Sequence, residues 1–124
     1  MKITPLHPAD APPAELSYSP GILAEGQKLI VISGQGPADL TADIETQMRQ
    51  TFERIGAILH AAGASFKHII ILRAYFVHFS RDLPVYRKVR KEFLTEPYPA
   101  STALGVTELA PEGNQIEIEA VAVL

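Results

Sequence analysis

Between Gln115 and Leu124 the chain keeps a two-residue period, with Ile116, Ile118, Ala120, Ala122 and Leu124 alternating with Glu117, Glu119, Val121 and Val123. Successive side chains of a β-strand point to opposite faces, so this pattern predicts a strand with one wholly apolar face. Such a face must be covered, which restricts the fold to a sheet with another layer packed on it. The cover is encoded upstream. From Asp43 to Ala62 the apolar residues Ile44, Met48, Phe52, Ile55, Leu59 and Ala62 step by three or four, the spacing of one helical face. Thr41 and Asp43 are both candidate N-caps, Gly63 is placed for a left-handed C-terminal residue, and His60 lies in the last turn. Leu83, Tyr86, Val89 and Phe93 give a second apolar stripe, with Asp82 as candidate cap, Pro84 in the first turn, and Pro97 and Pro99 as stops.

The remaining strands are read at Tyr18–Leu23, Lys28–Ser33, Lys67–His78 and Thr102–Glu108. Glu25-Gly26-Gln27 between the first two reads as a hairpin turn. Residues 5–13 hold four of the ten prolines, so residues 1–17 are expected to form an irregular, extended N-terminal segment. The expected order is β-β-α-β-α-β-β: one α+β domain over residues 1–124, with a mixed sheet and both helices on one face. The sheet's other face then lacks a cover, and subunit association is the economical way to supply one.

Composition narrows the chemistry. With no cysteine, the chain has neither disulfides nor thiolate nucleophiles nor Cys-ligated metals. A net charge of −3 gives no global field favouring nucleic acid or an anionic membrane. Apolar runs such as Ile69–Leu72 fall far short of the ~20 residues a membrane helix needs. The N-terminus lacks the apolar core of a signal peptide, so a cytoplasmic location is expected. His7, His60, His68 and His78 show no metal spacing, and neither a nucleophile elbow nor a phosphate loop occurs.

Six segments in order carry a family resemblance. They are Tyr18-Ser19, Ile32-Ser33-Gly34-Gln35, the helix opening from Asp43 to Gln50, Ala61-Ala62-Gly63-Ala64, Pro99-Ala100, and Ile116 to Val123. Together they resemble the Rid/YjgF family of reactive-intermediate deaminases, also called the endoribonuclease L-PSP family. The resemblance runs from about Tyr18 to Leu124. It implies a chorismate mutase-like fold and a homotrimer, with a small-molecule pocket in each cleft between subunits. It also implies hydrolysis of enamines and imines to 2-keto acids and ammonia.

The site follows by the same resemblance. Glu117 corresponds to the glutamate that holds and activates water, while Tyr18, Ser33 and Gly34 line the cleft, with Ser101 and Ala103 on the strand after Pro99-Ala100. The family grips the substrate carboxylate with an arginine just after Pro-Ala, a bidentate task suited to guanidinium. Here that position is Ser101, which supplies no positive charge. If the clamp belongs there, Ser101→Arg is expected to raise activity. Arg87, where many relatives carry an asparagine near the pocket, is the candidate replacement. No cofactor is expected, because an imine carbon is already electrophilic and needs only positioned water and proton transfer.

Bland readings stand beside these. Glu117 also reads as a strand glutamate meeting water, Glu119 as a solvated or interface residue, and Ser33-Gly34 as an ordinary turn. Arg81, Arg87, Lys88, Arg90 and Lys91 form a basic cluster that reads first as a solvated helix face; nucleic-acid contact lacks the interleaved aromatics that stack bases. A non-catalytic trimer that binds a metabolite or a partner is the alternative to the enzyme.

Overall fold

The computed structural model describes residues 1–10 and 17–124. Its elements are strands β1 (Lys2–Leu6), β2 (Gly21–Glu25) and β3 (Leu29–Gln35), helix α1 (Ile44–Ala61), strand β4 (Ile69–Phe76), helix α2 (Phe79–Arg90), and strands β5 (Ala100–Gly105) and β6 (Ile116–Val123). A 3-10 turn at Phe66–His68 leads into β4. The main sheet has the order β3-β6-β4-β5. β6 runs antiparallel to both β3 and β4, whereas β5 lies parallel to β4 after the α2 crossover. The fold is α+β with a mixed sheet, as expected.

The alternation in β6 sets the layers. Ile116, Ile118, Ala120 and Ala122 are buried beneath the helices, together with Leu72, Ala74 and Phe76 of β4. Met48, Phe52, Ile55 and Leu59 of α1, Tyr86 and Val89 of α2, and Ile32, Ile69 and Leu94 belong to the same core. Phe52 ties the two helices together, stacking 4.9 Å from Phe93 and 6.1 Å from Tyr86 between ring centroids. Of the two candidate caps for α1, Asp43 is the one used, its carboxylate accepting the Thr46 backbone N–H at 2.8 Å. Gly63 follows the helix with a left-handed φ of 75°.

Three expectations are corrected. Lys2–Leu6 is a strand rather than irregular, pairing antiparallel with β2 in a separate two-stranded sheet. Pro5 is tolerated there because such a ribbon is all edge, where a missing N–H disrupts no central ladder. The rest of the expected irregular segment includes residues 11–16, which lie outside the described residues. Second, β2 and β3 do not form a hairpin: β2 pairs with β1 and β3 with β6. Gly26 serves a close crossing instead of a hairpin turn, since a Cβ there would lie 2.6 Å from Val123 Cγ2 and 2.7 Å from the Leu124 carbonyl. The N–H groups of Gln27 and Lys28 both donate to that carbonyl, at 2.7 and 3.0 Å. Third, Asp82 does not cap α2, which starts at Phe79. Its carboxylate is buried and receives Arg81 Nε at 2.7 Å and Nη2 at 2.9 Å.

Candidate functional site

The expected site residues gather at two separate edges of the main sheet. The first group lies between β5 and α2. Segment 17–19 is stitched beside β5 by the Ser19 N–H donating to the Pro99 carbonyl at 2.9 Å and by the Ser19 hydroxyl donating to the Tyr98 carbonyl. That stitching holds Tyr18 over the gap. In the β4–β5 ladder Ser101 and Ala103 stand opposite the core residues Leu72 and Ala74, so they face the helix layer. Tyr18, Arg87, Ser101 and Ala103 thus line one cleft of about 200 Å³, joined by Tyr86 and Arg90.

Arg90 is the group that the sequence reading did not single out. It is only 3% exposed, at the inner wall of this cleft. Its Nη2 donates to the Ser17 carbonyl, its Nη1 lies 3.4 Å from Ser101 Oγ, and its Cζ sits 5.3 Å from the centre of the Tyr86 ring. No carboxylate pairs with it among the described residues. Arg90 Nε, the Tyr86 hydroxyl and Ser17 Oγ are all buried without a hydrogen-bond partner among the described residues. Burial pushes the Arg90 pKa down, with Arg87 adding repulsion and Tyr86 opposing the shift. Burial pushes the Tyr86 hydroxyl up. A sequence signal did exist: Arg90 stands four residues after Tyr86, on the same inward face of the helix.

The second group lies at the β3 edge. Gly34 and Glu117 line a cleft of about 380 Å³. The β3–β6 register shifts between Ile32 and Gln35, so Ser33 and Gly34 form an irregularity beside β6. Gly34 lies so close to Glu117 that a Cβ on it would be 2.6 Å from Glu117 Cδ. Ser33 is exposed on the same irregularity and lines neither cleft. The two strand glutamates differ in commitment. Glu119 receives the Tyr75 hydroxyl at 2.7 Å and lies 3.6 Å from Arg73 Nη1, whereas half-buried Glu117 takes part in no ion pair among the described residues.

The basic cluster is not one surface. Arg81 is bound to Asp82, Lys88 reaches Glu45 at 2.8 Å and Arg90 is buried, leaving Arg87 and Lys91 exposed. No helix among the described residues is long and apolar enough to cross a membrane.

Residues 8–124 match the endoribonuclease L-PSP family. A 2-iminobutanoate/2-iminopropanoate deaminase of Dermatophagoides farinae is 32% identical over 85 residues, 68% of this chain and 65% of that protein. The human protein of the same name is 31% identical over 121 residues, covering 93% of this chain and 85% of its own. Among solved structures, the Rid-family protein YyfB of Yersinia pestis superposes with a TM-score of 0.89 over 100% of both chains at 24% identity, a likeness of fold. The family match spans both sheet edges and the helices that frame them, and the chain belongs to the endoribonuclease L-PSP family, the Rid/YjgF proteins.

Proposed function

We propose that the protein hydrolyses a small imine or enamine acid to the 2-keto acid and ammonia, at a site completed between subunits of a homotrimer. The carrying observation is the state of Glu117: a half-buried carboxylate in a cleft, pressed against a glycine and engaged in no ion pair among the described residues. A carboxylate so placed is available to exchange protons, unlike Glu119. The reaction named in the deaminase relatives supports the same chemistry.

In the proposed step Glu117 takes a proton from water as the water oxygen bonds to the imine carbon and the C=N π electrons move to nitrogen. Glu117 returns the proton to that nitrogen to give the carbinolamine; it then carries the hydroxyl proton to the amino nitrogen, and as the oxygen electrons form C=O the C–N bond breaks, its electron pair leaving with nitrogen as ammonia. An enamine enters the same route after protonation at carbon. Tyr18 orients the substrate from the α2–β5 cleft, at whose mouth Arg87 stands. No step calls on a cofactor.

The two halves lie at opposite edges of one sheet, β3 and β5 being three strand spacings or about 14 Å apart. One chain does not bring them together; apposing the β3 edge of one copy with the α2–β5 edge of another does. Turnover of freshly generated 2-aminoacrylate or 2-iminobutanoate, followed as keto acid and ammonia, tests the reading. Glu117→Gln is expected to lower kcat at least ~100-fold, within the range general acid–base catalysis supplies. Wild-type protein that binds the keto acid yet shows no turnover would establish the non-catalytic metabolite-binding alternative, which the serine at position 101 favours.

A further inference from the structure

We propose that Arg90 is the carboxylate-binding residue of this site, reaching the cleft from α2 where the family pattern reaches it from β5, with Ser101 leaving the room it needs. The inference rests on the reading of the α2–β5 cleft as the substrate half of a deaminase site.

A buried guanidinium without a carboxylate is costly, because desolvation is not offset by an ion pair. Helix–sheet packing alone would be served by a methionine or leucine of similar size. Arg90 instead sets a guanidinium at 3% exposure and leaves donors unused among the described residues. Of five guanidinium N–H groups, one goes to the Ser17 carbonyl and one faces Ser101 Oγ at the stretched distance of 3.4 Å. Nε has no partner among the described residues, and neither has the hydroxyl of Tyr86, a residue of the same cleft wall. The Nε and Nη2 edge of a guanidinium is a fork for a carboxylate, and a phenol hydroxyl beside it adds a third donor.

The surroundings hold that fork in place. Ser17 adopts a left-handed backbone with φ of 65°, uncommon for a residue with a side chain, and its carbonyl meets Arg90. The Tyr86 ring supports the guanidinium from beneath. Any side chain much larger than serine at position 101 would occupy the space next to Nη1. The cleft of about 200 Å³ suits a small ligand, and Leu83 and Ala103 give a short alkyl tail an apolar wall. The ligand class is therefore a small 2-keto or 2-imino monocarboxylate.

Calorimetric titration of the whole chain with 2-oxobutanoate, and with 2-butanone as its counterpart lacking the carboxylate, tests the assignment. Wild type is expected to bind the keto acid and not the ketone. Arg90→Lys keeps charge but loses the fork and should bind ~10-fold more weakly. Arg90→Met should lose ~30-fold or more, as expected on truncating one partner of a buried charged pair. Ser101→Arg places a second guanidinium against the first and should weaken binding, the reverse of what the sequence alone suggests. Without ligand, Arg90→Met should melt no lower than wild type. Undiminished keto-acid affinity in Arg90→Lys and Arg90→Met, equal affinity for the ketone, or tighter binding in Ser101→Arg would each overturn the assignment. So would an Arg90→Met that loses fold and binding together while Arg90→Lys binds in full, which would make the residue structural. The two readings fail separately. Arg90-dependent binding without wild-type turnover defeats only the deaminase reading, whereas turnover at unchanged KM in both Arg90 variants defeats only the Arg90 assignment.

Discussion

At position 34 the missing Cβ sets where the Glu117 carboxylate can lie. An added methyl would stand 2.6 Å from Cδ and 2.7 Å from Oε2, atoms at the free end of a flexible side chain. The carboxylate would therefore swing aside while the backbone stays. Gly34→Ala is expected to leave stability within about 0.5 kcal/mol of wild type, as for other exposed substitutions, while lowering kcat by ~10-fold or more. A melting curve beside a turnover assay checks both halves; a large drop in melting midpoint would show that the strand irregularity, not the carboxylate, needs the glycine. The sequence pattern places Glu117 and Glu119 on one strand face and treats them alike. The family resemblance singles out Glu117, and the packing of β4 supplies the physical difference, because Tyr75 and Arg73 come from a segment more than forty residues away to take Glu119. Arg90 was hidden for a related reason. Its neighbours Arg87, Lys88 and Lys91 make it look like one more member of a solvated face, and burial is decided by Ser17 and β5.

Helices α1 and α2 are strapped together at their exposed edges by charges. Arg49 reaches Glu45 and Glu92, each at 2.8 Å, and Lys88 also holds Glu45 at 2.8 Å. The hydrogen bond from Lys88, and then that from Arg49, keeps Glu45 below the ordinary glutamate range. Arg49 does the same for Glu92. Carboxylates depressed on folding contribute stability that is present above their unfolded pKa and lost as pH falls through the folded one. The melting midpoint should thus begin to fall as pH drops below about 4.3, the ordinary glutamate value. Arg49→Met should lower the midpoint at pH 7 and differ little from wild type once both glutamates are protonated. The difference should be small and shrink with added salt, because these side chains are about a third exposed or more. A variant offset that persists unchanged into acid would assign the effect to packing. Both helices were legible from their 3.6-residue stripes, since that signal is local. Strand partners were not. Glu25-Gly26-Gln27 has hairpin chemistry, yet β2 finds β1 and β3 finds β6, choices made by contacts distant in sequence.

Among the described residues, the main sheet has one covered and one open face. Beneath the helices the core is closed, but on the other side Leu29 and Val31 of β3 are 65% and 71% exposed and Leu104 of β5 is 38% exposed. Apolar side chains spread over a sheet face this way mark an association surface. In solution the proposed trimer should weigh near three times 13.5 kDa. Its arrangement has a consequence for inheritance of damage. In that proposed trimer each chain would lend its Glu117 edge to one site and its Arg90 edge to another, so a lesion at one edge would leave the other edge sound. In a closed ring of three, any mixture of Glu117→Gln and Arg90→Met chains contains one junction where an intact glutamate edge meets an intact arginine edge. Two inactive proteins, unfolded together and refolded at equal amounts, should complement each other and recover roughly a quarter of wild-type turnover, the share of intact junctions under random assembly. Sites confined within single chains would recover none.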